Sequence, residues 1–224
     1  MKKPVIAIDG YSSTGKSSIS KVIADKLGLI HLDTGALYRG VTWFALQHCK
    51  DENGLIDLNL LFSSLDKIQL EFKNNDGELV LYLNQNDISK EIRSNEVSDN
   101  VSLVAKQKEV RDFLLQSQRS LADKGGIIMD GRDIGTVVLP NADFKFFLTA
   151  SIDERTKRRY HELLSLDIEA NEQQVKENLI ERDKIDSERE IAPLRKAEDA
   201  IVIDNTKLSK KETIEAILAY IQKI

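Results

Sequence analysis

The chain has 224 residues, 41% of them hydrophobic and 31% charged, enough for one sizeable α/β core with a small insertion or for two small domains. Lys and Arg number 32 against 37 Asp and Glu, and the net charge of -5 argues against a broad basic surface for nucleic acid. No run of about 18 apolar residues suggests a membrane span, and the single cysteine, Cys49, excludes an intramolecular disulfide framework and fits a reducing cytoplasm.

Met1-Lys2-Lys3-Pro4 enters an apolar run at once, which leaves no expected room for a leader peptide. That run, Val5 to Asp9, breaks into Gly10-Tyr11-Ser12-Ser13-Thr14-Gly15-Lys16-Ser17-Ser18 and then into a helical pattern. Gly10, Gly15, Lys16 and Ser17 satisfy G-x-x-x-x-G-K-[ST] between strand and helix, the context in which this pattern holds a nucleoside triphosphate. The glycines let backbone N–H groups curl around phosphate oxygens. Lys16 supplies a flexible point charge for the β- and γ-phosphates, and Ser17 offers a hydroxyl to Mg²⁺. The helix that follows turns the positive end of its dipole toward the anion.

Ile19, Val22, Ile23 and Leu27 recur at helical spacing, and Gly28 is placed to stop that helix. Leu29 to Leu32 predicts a short strand, after which Asp33-Thr34-Gly35 caps a helix from Ala36 to about Gln47. His31 and His48 lack metal-ligand spacing and read as structural or surface residues, and Cys49 reads as a buried thiol. Asp57 to Leu65 predicts a short helix. The period then changes: Ile68 to Lys73 alternates strictly, Asn74-Asn75-Asp76-Gly77 is a turn, and Leu79 to Leu83 resumes as a strand, with a third short strand near Asp87-Ile88. An antiparallel hairpin does not suit a parallel core sheet, so it is assigned to a small inserted subdomain, about residues 63–101.

Ser94 to Ala122 is largely helical in pattern, and Lys124-Gly125-Gly126 ends it. Ile127 to Asp130 is a buried-type strand closing on an aspartate, the position of the second acidic motif of a phosphate-loop protein, and Gly131-Arg132-Asp133-Ile134-Gly135-Thr136 follows. Asp143 to Thr149 predicts another core strand, Asp153 to Tyr160 a strongly basic helix, Asn171 to Ile185 a further helix and Ala200 to Asp204 a last strand. Thr213 to Ile224 closes the chain as an amphipathic helix. Strands alternating with helices predict a three-layer α/β/α core on a parallel sheet, one domain over residues 1–224.

Besides Lys16, arginines gather at Arg39, Arg111, Arg132, Arg155/Arg158/Arg159, Arg182 and Arg189. Moving a phosphoryl group from ATP to a second phosphate requires two anions within reach of each other, and guanidinium groups offset their repulsion while gripping phosphate in a planar fork. Part of the set reads equally well as solvated helix-face arginines.

Five blocks together resemble the bacterial cytidylate (CMP/dCMP) kinases: Ile8 to Ser18, Leu32-Asp33-Thr34-Gly35-Ala36-Leu37-Tyr38-Arg39, Asp130-Gly131-Arg132-Asp133-Ile134-Gly135-Thr136-Val137-Val138, Glu181-Arg182-Asp183, and Arg189-Glu190-Ile191-Ala192-Pro193-Leu194. The resemblance covers essentially the whole chain. It implies an ATP:CMP phosphotransferase with Mg²⁺, acting on CMP and dCMP as a cytoplasmic monomer without nucleic-acid or membrane partners. It further implies that Arg39, Arg132 and Arg189 grip the CMP phosphate. Ser102, Arg111 and Asp133 would read cytosine beside Thr34, and Arg182 and Asp186 would hold the sugar. Gly10 to Ser18 would hold ATP, with Lys16, Arg132, Arg155 and Arg158 acting on the transferring group and a lid spanning about residues 153–192. Tyr11, Thr34 and Ser18 stand where proline, serine and threonine are commoner in that family. A kinase of another small acceptor shares the phosphate loop and lid. A GTP-binding switch would need an Asn-Lys-x-Asp element that the sequence lacks, and a non-catalytic nucleotide sensor would bind without turnover.

Overall fold

The computed structural model describes residues 3–75 and 78–222, so the predicted turn at Asp76-Gly77, Met1-Lys2 at the start, and Lys223-Ile224 of the closing helix lie outside the described residues. In chain order the elements are β1 (Val5–Gly10), α1 (Lys16–Leu27), β2 (Ile30–Asp33), α2 (Thr34–His48), α3 (Leu58–Phe62), β3 (Leu70–Asn75), β4 (Glu78–Leu83), β5 (Asn86–Asp87), α4 (Asn95–Ala105) and α5 (Lys108–Ala122). The second half adds β6 (Ile127–Gly131), β7 (Phe144–Thr149), α6 (Ile152–Ser165), α7 (Glu172–Glu188), β8 (Ile201–Asp204) and α8 (Lys210–Ile221). A π-helical turn, Ile134–Val138, follows β6. Among the described residues no helix is long and apolar enough to cross a membrane.

The backbone divides into two compact units, one formed by the chain up to Leu32 together with everything from Ala122 onward, the other by Asp33–Leu121. The first is built on a five-stranded sheet in the order β2-β6-β1-β7-β8. β1 runs parallel to both β6 and β7, and β7 parallel to β8, with Ile8 opposite Asp130 on one side and Phe146 on the other. This register brings the C-terminal ends of β1 and β6, and so the phosphate loop and Asp130, to the same edge of the sheet. Ile6, Ile8, Ile128, Phe146 and Leu148 from the strands pack with Ile19 and Ile23 of α1 and Ile214 and Ile217 of α8. Apolar burial of this kind, about 25 cal/mol per Å², holds the sheet under the helices. Helix α1 stops where predicted: Gly28 takes a left-handed conformation, φ 62, and its N–H reaches the Ala24 and Asp25 carbonyls. Helix α8 begins at Lys210, ahead of the predicted Thr213, because Ser209 and Glu212 form a capping box.

The second unit contains the predicted antiparallel hairpin, with β3 paired to β4 from Leu70↔Leu83 to Asn75↔Glu78, and β5 completing a three-stranded sheet. Its core joins Leu37, Val41 and Phe44 of α2 to Leu81 and Leu83, to Val101 and Val104, and to Val110 and Leu114. The stretch read as largely helical resolves into α4 and α5. The apolar stripe slips between Val104 and Val110, and the Gln107 N–H turns back to the Val104 carbonyl at 3.1 Å. Two helices keep both stripes on the core where one could not. Cys49 is buried and free, as predicted.

Candidate active site

The phosphate loop leaves β1 through Gly10, whose φ of 145 suits glycine and whose Cβ, if it had one, would lie 2.0 Å from the Leu148 carbonyl oxygen of β7. Ser13 and Gly15 also take positive φ, 60 and 87, so the backbone curls as a phosphate cradle requires. Lys16 is buried and its Nζ donates to the Tyr11 carbonyl at 2.6 Å, which holds the ammonium over the loop. The loop is braced from two distant segments. Asn205 Nδ2 donates to the Thr14 carbonyl at 2.9 Å, and Arg155 of α6 donates to the Ala150 and Ser12 carbonyls at 3.0 and 3.4 Å. The Arg155 guanidinium also lies 5.1 Å from the Tyr11 ring centroid and 2.7 Å from Asp183. Tyr11 packs edge-on against Phe147, so the residue unusual for this loop has its own support. Burial raises the Asp183 carboxyl above the ordinary aspartate range, with Arg155 working against it.

Ser17, in the first turn of α1, donates its hydroxyl to Asp130 Oδ2 at 2.7 Å, and Asp130 Oδ1 lies 2.6 Å from His31 Nε2. Hydroxyl and carboxylate oxygens are the hard donors that Mg²⁺ takes, in small number alongside waters and substrate phosphates, so this corner suits that ion.

Beyond β6 the chain presents Arg132 and Asp133. Arg132 Nε pairs with Asp186 Oδ2 of α7 at 2.9 Å, and its Nη2 donates to Ser12 Oγ of the phosphate loop at 2.6 Å. Arg189 lies 3.3 Å from Asp133 and 3.8 Å from Asp186, and its Nε donates to the Ala192 carbonyl. Burial alone would raise Asp186, but Arg132, Arg189 and Arg182 hold its carboxyl below the usual range. Burial alone would lower Arg132, and Asp186 overrides it upward. The structure therefore assembles Arg132, Asp133, Arg182, Asp186 and Arg189 into one network against the phosphate loop. Asp9, at the end of β1, fixes the segment behind it: its two carboxylate oxygens accept the Ile134 and Gly135 N–H groups at 2.8 and 2.7 Å. Burial pushes Asp9 up to about 7 despite those bonds.

The remaining predicted acceptor residues belong to the second unit. Asp33 caps α2, accepting from the Ala36 N–H at 3.2 Å, and pairs with Arg39 at 2.6 Å. A Cβ on Gly35 would meet Arg39 Nη1 at 2.9 Å and Asp33 Oδ1 at 3.0 Å, so glycine permits that pairing. Thr34 is buried at the start of α2. Ser102 and Arg111 are both buried on α4 and α5, with the Arg111 guanidinium 5.3 Å from the Tyr38 ring centroid and donating to the Ala105 carbonyl at 3.0 Å.

Arg158 bonds Glu154 and both the side chain and carbonyl of Asn205, and Arg159 pairs with Glu162. Sequence reading missed Asp9, His31, Asp183 and Asn205 as parts of this network. Asp9 and Asp183 stand inside quoted motifs, which is a usable signal; nothing around His31 or Asn205 marks them.

The profile of the cytidylate kinase family matches residues 6–223. A cytidylate kinase of Bacillus cereus is 42% identical over 223 residues, covering 100% of this chain and 98% of the relative. Among solved structures, an uncharacterised protein from Eubacterium ventriosum matches with a TM-score of 0.54 at 12% identity, covering 100% of both chains. A gluconokinase from Sinorhizobium meliloti matches with a TM-score of 0.51 at 13% identity, covering 99% of this chain and 93% of its own, and both likenesses concern the fold alone. With the phosphate loop, the closing aspartate of β6 and the arginine network in place, the full-length match settles the family: the chain belongs to the cytidylate kinases.

Proposed function

We propose that the protein transfers the γ-phosphoryl group of ATP to CMP and dCMP, giving CDP and dCDP. The observation that supports this reading is the bond from Arg132 to Ser12 at 2.6 Å, between a guanidinium we assign to the acceptor and the loop we assign to the donor. A charge so placed can act on both anions at once, as in-line phosphoryl transfer requires. Lys16 follows the moving phosphoryl group, and the acceptor needs no strong general base because its attacking atom is already a phosphate oxygen anion. Ser17, steadied by Asp130, would hold Mg²⁺, which when bound neutralises charge on the transferring phosphates.

On the acceptor side, Arg39, Arg132 and Arg189 are assigned to the CMP phosphate. Ser102, Arg111 and Asp133 are assigned to cytosine beside Thr34, and Arg182 and Asp186 to the sugar. Gly10 to Ser18 hold ATP, Arg155 and Arg158 act on the donor side, and residues 153–192 form the lid that excludes water during transfer. Support comes from the joint network of Arg132, Asp133, Asp186 and Arg189, and from the burial of Ser102 and Arg111. A coupled assay across nucleoside monophosphates tests the reading. CMP and dCMP are expected to be turned over far faster than UMP or AMP, and equal or better rates with UMP or AMP would overturn the acceptor assignment. The proposal extends to a cytoplasmic monomer; the buried free thiol of Cys49 suits a reducing compartment. Sedimentation velocity with and without nucleotides checks the monomer, and a stable dimer would overturn it.

A further inference from the structure

His31 stands on β2, one strand along from the β6 terminus that carries Asp130. The strand is tied in by the Ile30 N–H, which reaches the Gly126 carbonyl at 2.8 Å just before β6 begins. Asp130 is almost fully buried, yet its two oxygens have different protein donors: the Ser17 hydroxyl on Oδ2 at 2.7 Å and His31 Nε2 on Oδ1 at 2.6 Å. A carboxylate accepts and cannot donate, so the imidazole hydrogen sits on Nε2. Each donor on a carboxylate restricts its swing about its own bond, and His31 adds that restraint at Oδ1 while Ser17 engages Oδ2.

The consequence lands on Ser17. A serine hydroxyl has one hydrogen and two lone pairs. With its hydrogen committed to a restrained Asp130, its lone pairs have a set direction, and a cation arriving there meets an oriented ligand. If Asp130 swings, the hydroxyl turns with it or loses its acceptor. From this chain of contacts we infer that His31 is a positioning residue of the metal corner, acting through Asp130 to orient the Ser17 hydroxyl toward a hard divalent cation. Supporting groups of this type commonly change metal affinity by about 10- to 100-fold.

The inference rests on the assignment of Ser17 to Mg²⁺, and the test separates the two. ATP affinity is measured calorimetrically on the full chain, in EDTA and across a Mg²⁺ titration, for the wild type, His31→Phe and His31→Gln. Phenylalanine keeps a ring and removes the N–H; glutamine places an amide N–H near the position of Nε2. Expected is unchanged ATP affinity in EDTA for all three and a half-saturating Mg²⁺ concentration raised about tenfold in His31→Phe, with most of that loss restored in His31→Gln. His31→Asn, whose amide stops short of Asp130, is expected to repeat the loss should the phenylalanine variant fail to fold. A Mg²⁺ response in His31→Phe equal to wild type, or equal damage in the phenylalanine and glutamine variants, overturns the inference alone. A wild-type chain whose ATP affinity ignores Mg²⁺ overturns the metal assignment and the inference with it.

Discussion

Arg132 and Asp186 meet at 2.9 Å with both side chains mostly withdrawn from water, and the same carboxylate also lies 3.8 Å from Arg189. One aspartate on α7 therefore balances two of the guanidinium groups assigned to the acceptor phosphate. On the assignment proposed above, an arriving phosphate would share or replace that partner, and until then the carboxylate keeps buried guanidinium charge paired.

Removing Asp186 should expose that dependence. Asp186→Ala leaves buried guanidinium charge short of its acceptor and is expected to destabilise the fold by about 3–5 kcal/mol in urea denaturation. Asp186→Asn should cost less. The sign of the pH dependence follows from the depressed carboxyl: its contribution is present above the unfolded value, about 3.9, and is lost as pH falls through the lower folded one. A urea midpoint for Asp186→Ala equal to wild type at neutral pH would contradict this account.

At Gly10 the limit is steric. A methyl group there would press within 2.0 Å of the Leu148 carbonyl, on strand backbone that cannot move aside without breaking β1–β7 pairing. Gly10→Ala is expected to abolish ATP binding by titration calorimetry and to lower the melting temperature. Retention of wild-type ATP affinity would show that the loop tolerates a Cβ at this point.

Lys16→Ala separates chemistry from folding. The ammonium donates to the loop itself, at the Tyr11 carbonyl, and the helix it begins is held by Ile19 and Ile23 in the core. Turnover should fall by at least about 100-fold, in line with the loss of a preorganised charge at the transferring group, while cooperative thermal unfolding persists. Near wild-type turnover would remove the loop from the reaction.

Asp9 carries a pH signature of the opposite sign. Its folded pKa, about 7, is raised above the unfolded value, first by burial and also by nearby Asp133, while the two N–H donors and Lys16 hold it down. The folded state thus keeps a proton that the unfolded chain releases. Its contribution is complete below about pH 4 and is lost as pH rises through 7, at no more than about 1.4 kcal/mol per pH unit. Measured unfolding free energies of wild type minus Asp9→Asn should decline across that window and level off above it. A flat difference would mean that Asp9 is ionised throughout.

Local patterns determined much of this protein without help from folding. The strand–loop–helix around Gly10 to Ser18, the Gly28 stop, the Asp33 cap and the alternating hairpin are each consequences of a few adjacent residues, because conformation, capping and pleat are short-range properties. The match of five motifs to one family likewise needed only their order and identity. Tertiary structure decided what those motifs lean on. Asn205 holds Thr14 across 191 positions, His31 reaches Asp130 across 99, and Asp9 grips the Ile134 and Gly135 N–H groups across 125 and 126. Such contacts leave no periodicity behind, since they depend on which strands the sheet sets side by side. The order β2-β6-β1-β7-β8 is what carries a histidine, an aspartate and a serine from three separate segments to one corner.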